Sequence, residues 1–575
     1  MKGAINKVFA SKFWWLLLLA GLFVINFLAS QFHARFDLTK EKRYTLSKAT
    51  RNLVKGLEDD VQIDVFLKGE FPSGFRKLAN TTKEFLGLLK DINGSKVHYR
   101  FISPLDEMPD GKQWGDTLVK LGAVPINLTV QKKAGESSNI IFPVALVTYN
   151  NRQSLVNLYP GASGRISQEE INSAEALMEY QFVKTLDKIT AEKRPAIAYA
   201  VGNGEPANER VYDLEQTLIK EYQFGPFDIS KGAVPAKADV LMIVKPTAQF
   251  TEDERLKIDQ FVMRGGKLLC FIDNLIAEQD SLAIKPETIA YDRNLNLTDL
   301  FFKYGLRINP DLVMDLQCDL IPMVVGGTME NPQFEFMHWN YHPILTAGNS
   351  SMNKGLGYVS SRFVNSIDTI ASKGIKKTPL LVSSPNSRII STPALISLNE
   401  NRNAPEDEKF RQNAIPVAML LEGKFTSLFR NRIMKAQLDS LAAQGISFKD
   451  ESPDNKMIVV ADGDIVLNDV LPNQGPIPMG FNKYTYSEYL NQGENGKYFL
   501  PTANRDFLLN CVEYLVNNPA ISETRNKDIV LRLLDSKKVE AQKSTWQMIN
   551  IALPVMLVIL FGWLYQQLRK RKYAA

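Results

Sequence analysis

The sequence predicts an α/β protein tethered to a membrane, and three observations carry that prediction. The stretch from Asp239 to Asn274 reads strand, helix, strand. Further short apolar runs, ending in turn residues, recur on both sides of it. Two long uncharged segments lie near the two ends of the chain. In the first of these stretches, Val240 to Val244 is a continuous apolar run with β-branched members, which suits a strand buried on both faces. Thr251 with Glu254 is a capping box, in which the hydroxyl accepts an orphan amide proton and the carboxylate reaches back. Ile258, Phe261 and Val262 fall on one face of the following helix, which Gly265-Gly266 stops. Leu268 to Ile272 is the second buried strand. This is the βαβ crossover from which doubly wound parallel sheets are built.

Bulk properties bound the function. The chain has 575 residues and a net charge of +5, small for its length, and no basic stripe interleaved with aromatics, so nucleic acid is not an expected partner. The three cysteines, Cys270, Cys318 and Cys511, are far apart and form neither a disulfide framework nor a metal-ligand spacing.

The uncharged segments are Phe13 to Phe32 and Trp546 to Leu568, each long enough to cross a bilayer as a helix. Lys2, Lys7 and Lys12 precede the first, and Arg569-Lys-Arg-Lys572 follows the second. Basic residues favour the cytoplasmic side, so both termini are expected there, with the roughly 510 residues between them across the membrane. In a bacterium that is a two-pass inner-membrane protein with a periplasmic body. A cleaved signal peptide is the alternative for the first segment, although Ala29-Ser30 is a poor cleavage site. A buried core helix is the alternative for the second.

The elements follow in order. After a polar lead-in, Val61 to Leu67 alternates like a half-buried strand, Phe75 to Lys90 has helical spacing, and Val97 to Ile102 is a strand. Lys112 to Gly122 is a short helix. Strands are expected at Ile126 to Val130, Ile140 to Tyr149 and Ser154 to Leu158, before a long helix from Gln168 to Ile189. The order βαβαββα is that of a thioredoxin-like domain, with Val124-Pro125 where that fold often has a cis proline. No cysteine lies in this region, so redox chemistry is excluded. Pro195 to Val201 opens a second series of strands, followed by Gly202-Asn203-Gly204-Glu205-Pro206 and a helix from Leu214 to Tyr222. An irregular insertion rich in Asn and Pro is expected from Tyr291 to about Gly357, then strands at Thr378 to Ser383, Ile415 to Leu421 and Met457 to Ala461. Asn504 to Asn517 is an apolar-striped helix. Ile521 to Lys543 is a charged amphipathic helix leading into the second span. The expected organisation is a cytoplasmic N-terminus (1–12), a span (13–32), the thioredoxin-like domain (33–193) and a large α/β domain (194–519) with its insertion at about 279–357. A juxtamembrane helix (520–545), the second span (546–568) and a cytoplasmic tail (569–575) complete it.

Three segments carry a resemblance: Asp259 to Asp273 (DQFVMRGGKLLCFID), Leu295 to Gln317 (LNLTDLFFKYGLRINPDLVMDLQ), and Ile415 to Phe425 (IPVAMLLEGKF) with Phe429-Arg-Asn-Arg432. They resemble the GldG family, the gliding-motility-associated auxiliary component of an ABC transporter, often described as its substrate-binding component. The resemblance covers nearly the whole chain. It implies a large domain related to class I glutamine amidotransferases, and a membrane complex with a separate ABC permease subunit and a separate ABC ATPase subunit. In the wider set of auxiliary ABC-transport proteins the loop at Gly202-Asn203-Gly204-Glu205 often carries His where this chain has Asn203, so one acid/base group is missing here.

Candidate chemistry is sparse. Gly202, Asn203, Gly204 and Glu205 follow a strand and precede a helix, where backbone amides can cradle an anion, although a tight structural turn is the favoured reading. The loop is neither Gly-x-Gly-x-x-Gly nor a P-loop, and no Walker A motif occurs in the chain, so no nucleotide is expected to bind. Cys270 lies mid-strand rather than on a nucleophile elbow and reads as buried and inert. His338 and His342 are spaced i, i+4, but Trp339 stands where a zinc hydrolase has Glu, and Pro343 argues for a loop packed by aromatics. Asp462-Gly463-Asp464 ends a strand at the carboxyl edge of the sheet, where doubly wound folds bind ligands and where turn chemistry also uses such residues. No catalytic residue, metal or cofactor is assigned. The expected function is a non-enzymatic extracytoplasmic component of an ABC transporter. A ligand sensor, a structural linker of motility or secretion machinery, and a membrane-tethered hydrolase are the alternatives.

Overall fold

The structure, a computed structural model, describes residues 19–23, 26, 45–69, 71–106, 113–123, 125–132, 135–159, 168–282, 285, 287–328, 330–353, 355–398, 407–412, 414–486, 502–516, 521, 524 and 536–573. They fall into two compact units, Met1–Lys527 and Asp528–Ala575.

After residues 19–23 and 26, the first complete helix described in the first unit is α1 (Lys48–Lys55), capped by Ser47, whose hydroxyl accepts from the amide of Thr50. Strand β1 (Val61–Val65), helix α2 (Ser73–Ile92) and strand β2 (Val97–Phe101) follow, with β1 and β2 parallel. Helix α3 (Trp114–Lys120) leads to a hairpin of β3 (Ile126–Lys132) and β4 (Gly135–Ile141), then to β5 (Val144–Tyr149) and β6 (Arg152–Asn157). The sheet order is β2-β1-β5-β6, with β5 antiparallel to both its neighbours. Asn150 and Asn151 close the β5–β6 hairpin at φ of 47° and 61°, the left-handed pair that a tight two-residue turn requires. Helix α4 (Gln168–Thr190) covers the sheet beside α2, where the rings of Phe85 and Phe182 lie 5.3 Å apart.

One expectation fails here. Ile140 to Tyr149 is not a single strand. Pro143, which has no amide proton to donate, divides it, and the amide of Val144 turns back onto the carbonyl of Phe142 at 2.8 Å. The piece before Pro143 pairs only with β3, off the main sheet. Val124, of the expected cis peptide Val124-Pro125, lies outside the described residues.

The larger part of the unit is built on a ten-stranded sheet. Strands β7 (Ala196–Val201), β8 (Gln223–Asp228), β9 (Val240–Val244) and β10 (Lys267–Phe271) are all parallel, with helices α5 (Tyr212–Ile219) and α6 (Glu252–Met263) in the connections. The α6 capping box of Thr251 and Glu254 forms as expected. Gly265 takes φ 99°, and a Cβ on Gly266 would meet the Phe261 ring at 2.4 Å, so the glycine pair both stops the helix and lets it pack on the sheet.

After β10 the chain leaves the sheet. It forms β11 (Leu275–Ile276), α7 (Gln279–Leu282), β12 (Glu287–Asp292), α8 (Thr298–Tyr304), β13 (Leu306–Ile308), β14 (Asp311–Asp315), β15 (Cys318–Gly327) and β16 (Pro332–Ala347). This segment is not irregular, contrary to expectation. Its Asn and Pro residues punctuate strands: Asn294 and Asn296 take left-handed turns at φ 55° and 61°, and Asn331-Pro332 connects β15 to β16. The insertion also runs beyond Gly357, through β17 (Val359–Ser360), β18 (Ile367–Thr369), β19 (Ile375–Val382), β20 (Ser387–Ser391) and β21 (Ala394–Ser397). Of these, β18, β20 and β21 pair with β13, β14 and β12. Strands β12, β14, β20 and β21 contribute to a separate core around Trp339, Tyr341 and Met314, whereas Leu306, Ile308 and Ile367 of β13 and β18 join the core on one face of the main sheet.

The chain returns through β22 (Pro416–Thr426), α9 (Lys435–Ala443) and β23 (Glu451–Val460), and β23 lies parallel against β10. The sheet order is β15-β16-β19-β22-β23-β10-β9-β7-β8, with β17 beside β16. Counted along the chain, the five parallel strands stand in the order 2-1-3-4-5, a doubly wound arrangement. Val240–Val244 is buried throughout, as strands covered on both faces must be, with one apolar cluster on each side. Helix α10 (Asn504–Val516) packs Phe507, Leu508, Cys511 and Leu515 into the second of these clusters.

The second unit is described as helix α11 (Ser536–Tyr573), which covers the end of the expected juxtamembrane segment and the whole expected span, with Pro554 inside it; most of residues 520–535 lies outside the described residues. Within it, Gln542–Arg571 is long and apolar enough to cross a membrane. Of the first apolar segment, residues 19–23 and 26 are described and are helical; the rest of that expected span lies outside the described residues.

Candidate functional site

Three buried strands end side by side. Phe271 is in register with Val244 on one side and Val460 on the other, so the residues after β9, β10 and β23 share the carboxyl edge of the sheet. Those residues are Lys245, Asp273 and the turn Asp462-Gly463-Asp464.

Lys245 takes φ 43°, a left-handed conformation costly for a side chain of its size, while its amide still donates to the carbonyl of Phe271 at 2.7 Å. Its side chain is 3 % exposed. The ammonium lies 2.7 Å from Asp464 Oδ2, 2.9 Å from Asp273 Oδ2 and 3.3 Å from Glu278 Oε2. Those carboxylates hold it charged, against burial, well above the usual lysine range.

The carboxylates are fixed in turn. Asp273 accepts the amide of Gly463. Asp462 accepts the amides of Arg362 at 2.8 Å and Asp464 at 2.7 Å. Burial pushes the carboxyls of Asp273 and Asp462 upward, and neighbouring carboxylates add to this at both. Asp464 responds in the opposite sense: burial opposes its charge, but Lys245, Arg362 and Arg210 hold it down at about 2. Arg210 donates to Asp464 at 2.9 Å, Arg293 to Glu278 at 3.0 Å, and Arg362 grips Asp469 with both terminal nitrogens at 2.9 and 2.7 Å.

Oxygens of Asp273, Asp462 and Asp464 all lie within 4.8 Å of one another, a spacing that suits a cation. The Lys245 ammonium contacts two of the three, so the chain supplies that positive charge itself. Beside the cluster is a cavity of about 180 Å³, lined by Arg210, Glu278, Gln279, Arg362, Phe363, Asp464, Asp469, Val470 and Lys483. His342 is buried near this wall, its ring 5.4 Å from that of Phe363. Burial first, then Arg362, lowers its pKa to about 3, so the imidazole is neutral.

The other residues singled out from sequence lie elsewhere. Gly202 and Gly204 do take left-handed φ of 120° and 79° in the loop after β7. The carbonyl of Asn203 accepts the amides of Thr247 and Ala248 at 2.9 and 2.8 Å, its side chain reaches Glu254 at 3.2 Å, and its amide donates to Glu205 at 2.8 Å. A Cβ on Gly204 would meet the Thr247 hydroxyl at 2.0 Å. The loop is therefore packed against residues 247 and 248 on one side and reaches solvent at Gly202 and Gly204. Asn203 Oδ1 and Glu205 Oε1 remain buried without a hydrogen-bond partner. Burial raises the Glu205 carboxyl, with smaller contributions from Glu254 and Asp228.

Cys270 is fully buried in β10, and burial raises its thiol far above the ordinary range. His338 and His342 lie within β16, not in the expected loop. The aromatic packing was expected, and a bulge explains it: Cys318 pairs with Pro343 but Leu320 pairs with His338, so residues 339–342 leave the β15 ladder and turn into the core. His338 is exposed and His342 buried, so the two do not converge on one site.

Sequence reading picked out Asp462 and Asp464 but missed Lys245, Asp273 and the arginines. A signal was present. Lys245, Asp273 and Asp462 each directly follow a continuous apolar run, Val240 to Val244, Leu268 to Ile272 and Met457 to Ala461. The arginines come from distant loops and carried no such mark.

Two family models match the chain: one described as a domain of unknown function, at residues 40–148, and one described as an ABC-type uncharacterized transport system, at residues 194–511. An uncharacterized protein of Borreliella burgdorferi is 21% identical over 436 residues, which cover 72% of this chain and 78% of that protein. Among solved structures, the N-terminal domain of mmIFT52 is 10% identical with a TM-score of 0.29, covering 56% of this chain and 98% of that one. An exo-β-1,4-mannosidase of an Opitutaceae bacterium is 10% identical with a TM-score of 0.21, covering 83% and 56%. Scores this low carry no argument about fold or function. The transport-system match spans more than half of the chain and includes every strand of the charged site. The chain belongs to the ABC-type transport auxiliary family.

Proposed function

We propose that this protein is a non-catalytic, extracytoplasmic auxiliary component of an ABC transporter of the GldG type, associated with gliding motility. The observation that carries the reading is a family match over residues 194–511 in a chain that also has the apolar helix Gln542–Arg571, closed by the basic run Arg569 to Lys572. The protein has two spans, cytoplasmic termini and a periplasmic body. Its partners are a permease subunit, which its spans contact, and an ATPase subunit beneath that permease.

The sheet order β2-β1-β5-β6 supports a thioredoxin-like domain at 33–193. The 2-1-3-4-5 order of parallel strands supports an amidotransferase-like domain at 194–519. Cys270 lies inside a strand rather than on an exposed elbow, which favours a binding or coupling role over hydrolysis. The charged cavity favours a ligand sensor as the second reading.

Copurification of the full chain from membranes in mild detergent tests the proposal. A permease and an ATPase should be recovered with it. Recovery of neither overturns the transport reading. Reporter fusions at residue 300 and at the C-terminus test the topology, and a periplasmic reporter that works at the C-terminus excludes it.

A further inference from the structure

We infer that the cavity at the carboxyl edge of the sheet binds a small zwitterion, an α-amino acid with little or no side chain. The inference goes beyond the transport reading and can fail independently of it.

Size is the first constraint. A volume of about 180 Å³ is below the ~300 Å³ at which pockets for drug-sized ligands begin, so the ligand is small. Charge is the second. Arg210, Arg362 and Lys483 line the cavity together with Glu278, Asp464 and Asp469, an equal number of cations and carboxylates. The nearby imidazole of His342 is neutral and does not alter that balance. A ligand of one sign would meet like charges on half of this wall. A ligand that carries an ammonium and a carboxylate within a few ångströms finds opposite charges for both.

Preorganisation is the third. Asp464 is held by Lys245 and Arg210, Arg362 by Asp469, and Glu278 by Lys245 and Arg293, so the wall needs little rearrangement to receive a ligand. Two of its charged groups also reach solvent: the side chains of Arg210 and Glu278 are 35 % and 36 % exposed. A guanidinium has five N–H donors, and each oxygen of Glu278 has a lone pair beyond the ion pair it makes. The carboxylate of the ligand is assigned to Arg210 and its ammonium to Glu278. Apart from Phe363 and Val470 the lining is polar, which leaves little room for an apolar side chain.

The test is isothermal titration of the full chain in detergent, without partners, with glycine, alanine, acetate and methylammonium at matched ionic strength. Saturable heat from glycine or alanine, about tenfold tighter than either simple ion and weakened about tenfold in both Arg210→Gln and Glu278→Gln, is the expected result. Both residues are partly exposed, so the variants should fold, and thermal unfolding without ligand checks that they do. Absence of saturable heat overturns the inference, as does equal binding of acetate or methylammonium, or unchanged glycine binding in both variants.

Discussion

Gly463 lies so close to Lys245 that a Cβ at position 463 would come within 2.6 Å of the Lys245 Cβ and 3.0 Å of its Cα. The backbone of Gly463 is ordinary, at φ −80°, so contact rather than conformation demands glycine here. Gly463→Ala should therefore destabilise the protein by roughly 1–3 kcal/mol through forced displacement of the Lys245 backbone. Chemical denaturation of the full chain checks this, and an unchanged midpoint would show that the turn yields freely.

Lys245→Met should cost more, roughly 3–5 kcal/mol, because it leaves the buried carboxylate of Asp273 without its cation. The pH dependence separates this from simple loss of packing. In the native protein Asp464 is depressed to about 2, so its stabilising contribution is present above the unfolded carboxyl value and is lost as pH falls through about 2. In the variant the carboxylate of Asp273 loses its cation and titrates upward, while Asp464 keeps Arg210 and Arg362, so stability falls as pH rises through the Asp273 value. The deficit relative to the native protein should be smaller at pH 5 than at pH 8. A deficit equal at both would mean that the ammonium was not compensating Asp273.

The parallel core was legible because its strands announce themselves. Val240 to Val244, Leu268 to Ile272 and Met457 to Ala461 are apolar on both faces and end in turn residues, a pattern set by burial alone. The insertion was not legible, because Asn and Pro signal turns without revealing which distant strands the turns connect. Strand β14 pairs with β20 more than seventy residues away, and no local period encodes that partnership. The charged site was half legible for the same reason. The residues that end strands carried a positional mark, whereas Arg210, Glu278 and Arg362 are brought in by loops.

Asp259 should be a structural keystone of the family-like segment in which it stands. Fully buried on α6, it accepts from Ser427 at 2.6 Å, from the amide of Leu428 and the hydroxyl of Tyr304 at 2.9 Å, and from Gln260 at 3.0 Å. Asp259→Ala strands these donors and should cost roughly 3 kcal/mol or more. Asp259→Asn keeps an acceptor and should cost less. Equal losses in urea denaturation would refute the hydrogen-bonding account.

All three cysteines should be inert in the folded protein. Cys270, Cys318 and Cys511 are buried, and burial raises each thiol, so little thiolate exists near neutral pH. Labelling with a thiol reagent should proceed only after unfolding. Rapid native labelling of Cys270, or a folded Cys270→Ala variant that has lost function, would reveal a nucleophile.

The proposed docking role of the second span predicts a clean separation. Exchanging residues 546–568 for an unrelated apolar helix of the same length should leave the remainder folded but release the permease on purification. Unchanged copurification would place the docking surface elsewhere.

Strand β16 belongs to two ladders joined end to end. Its last residues, Thr346 and Ala347, pair with β19 in the main sheet, while its outer half pairs with β15 out to Gly327 opposite Pro332. Val324, Val325 and Phe334 are exposed at that far end, and His342, behind Phe363 in the cavity wall, lies between. The strand is thus one continuous piece of backbone shared by the exposed tip, the aromatic core and the edge of the main sheet, and the bulge at residues 339–342 is where its two ladders part.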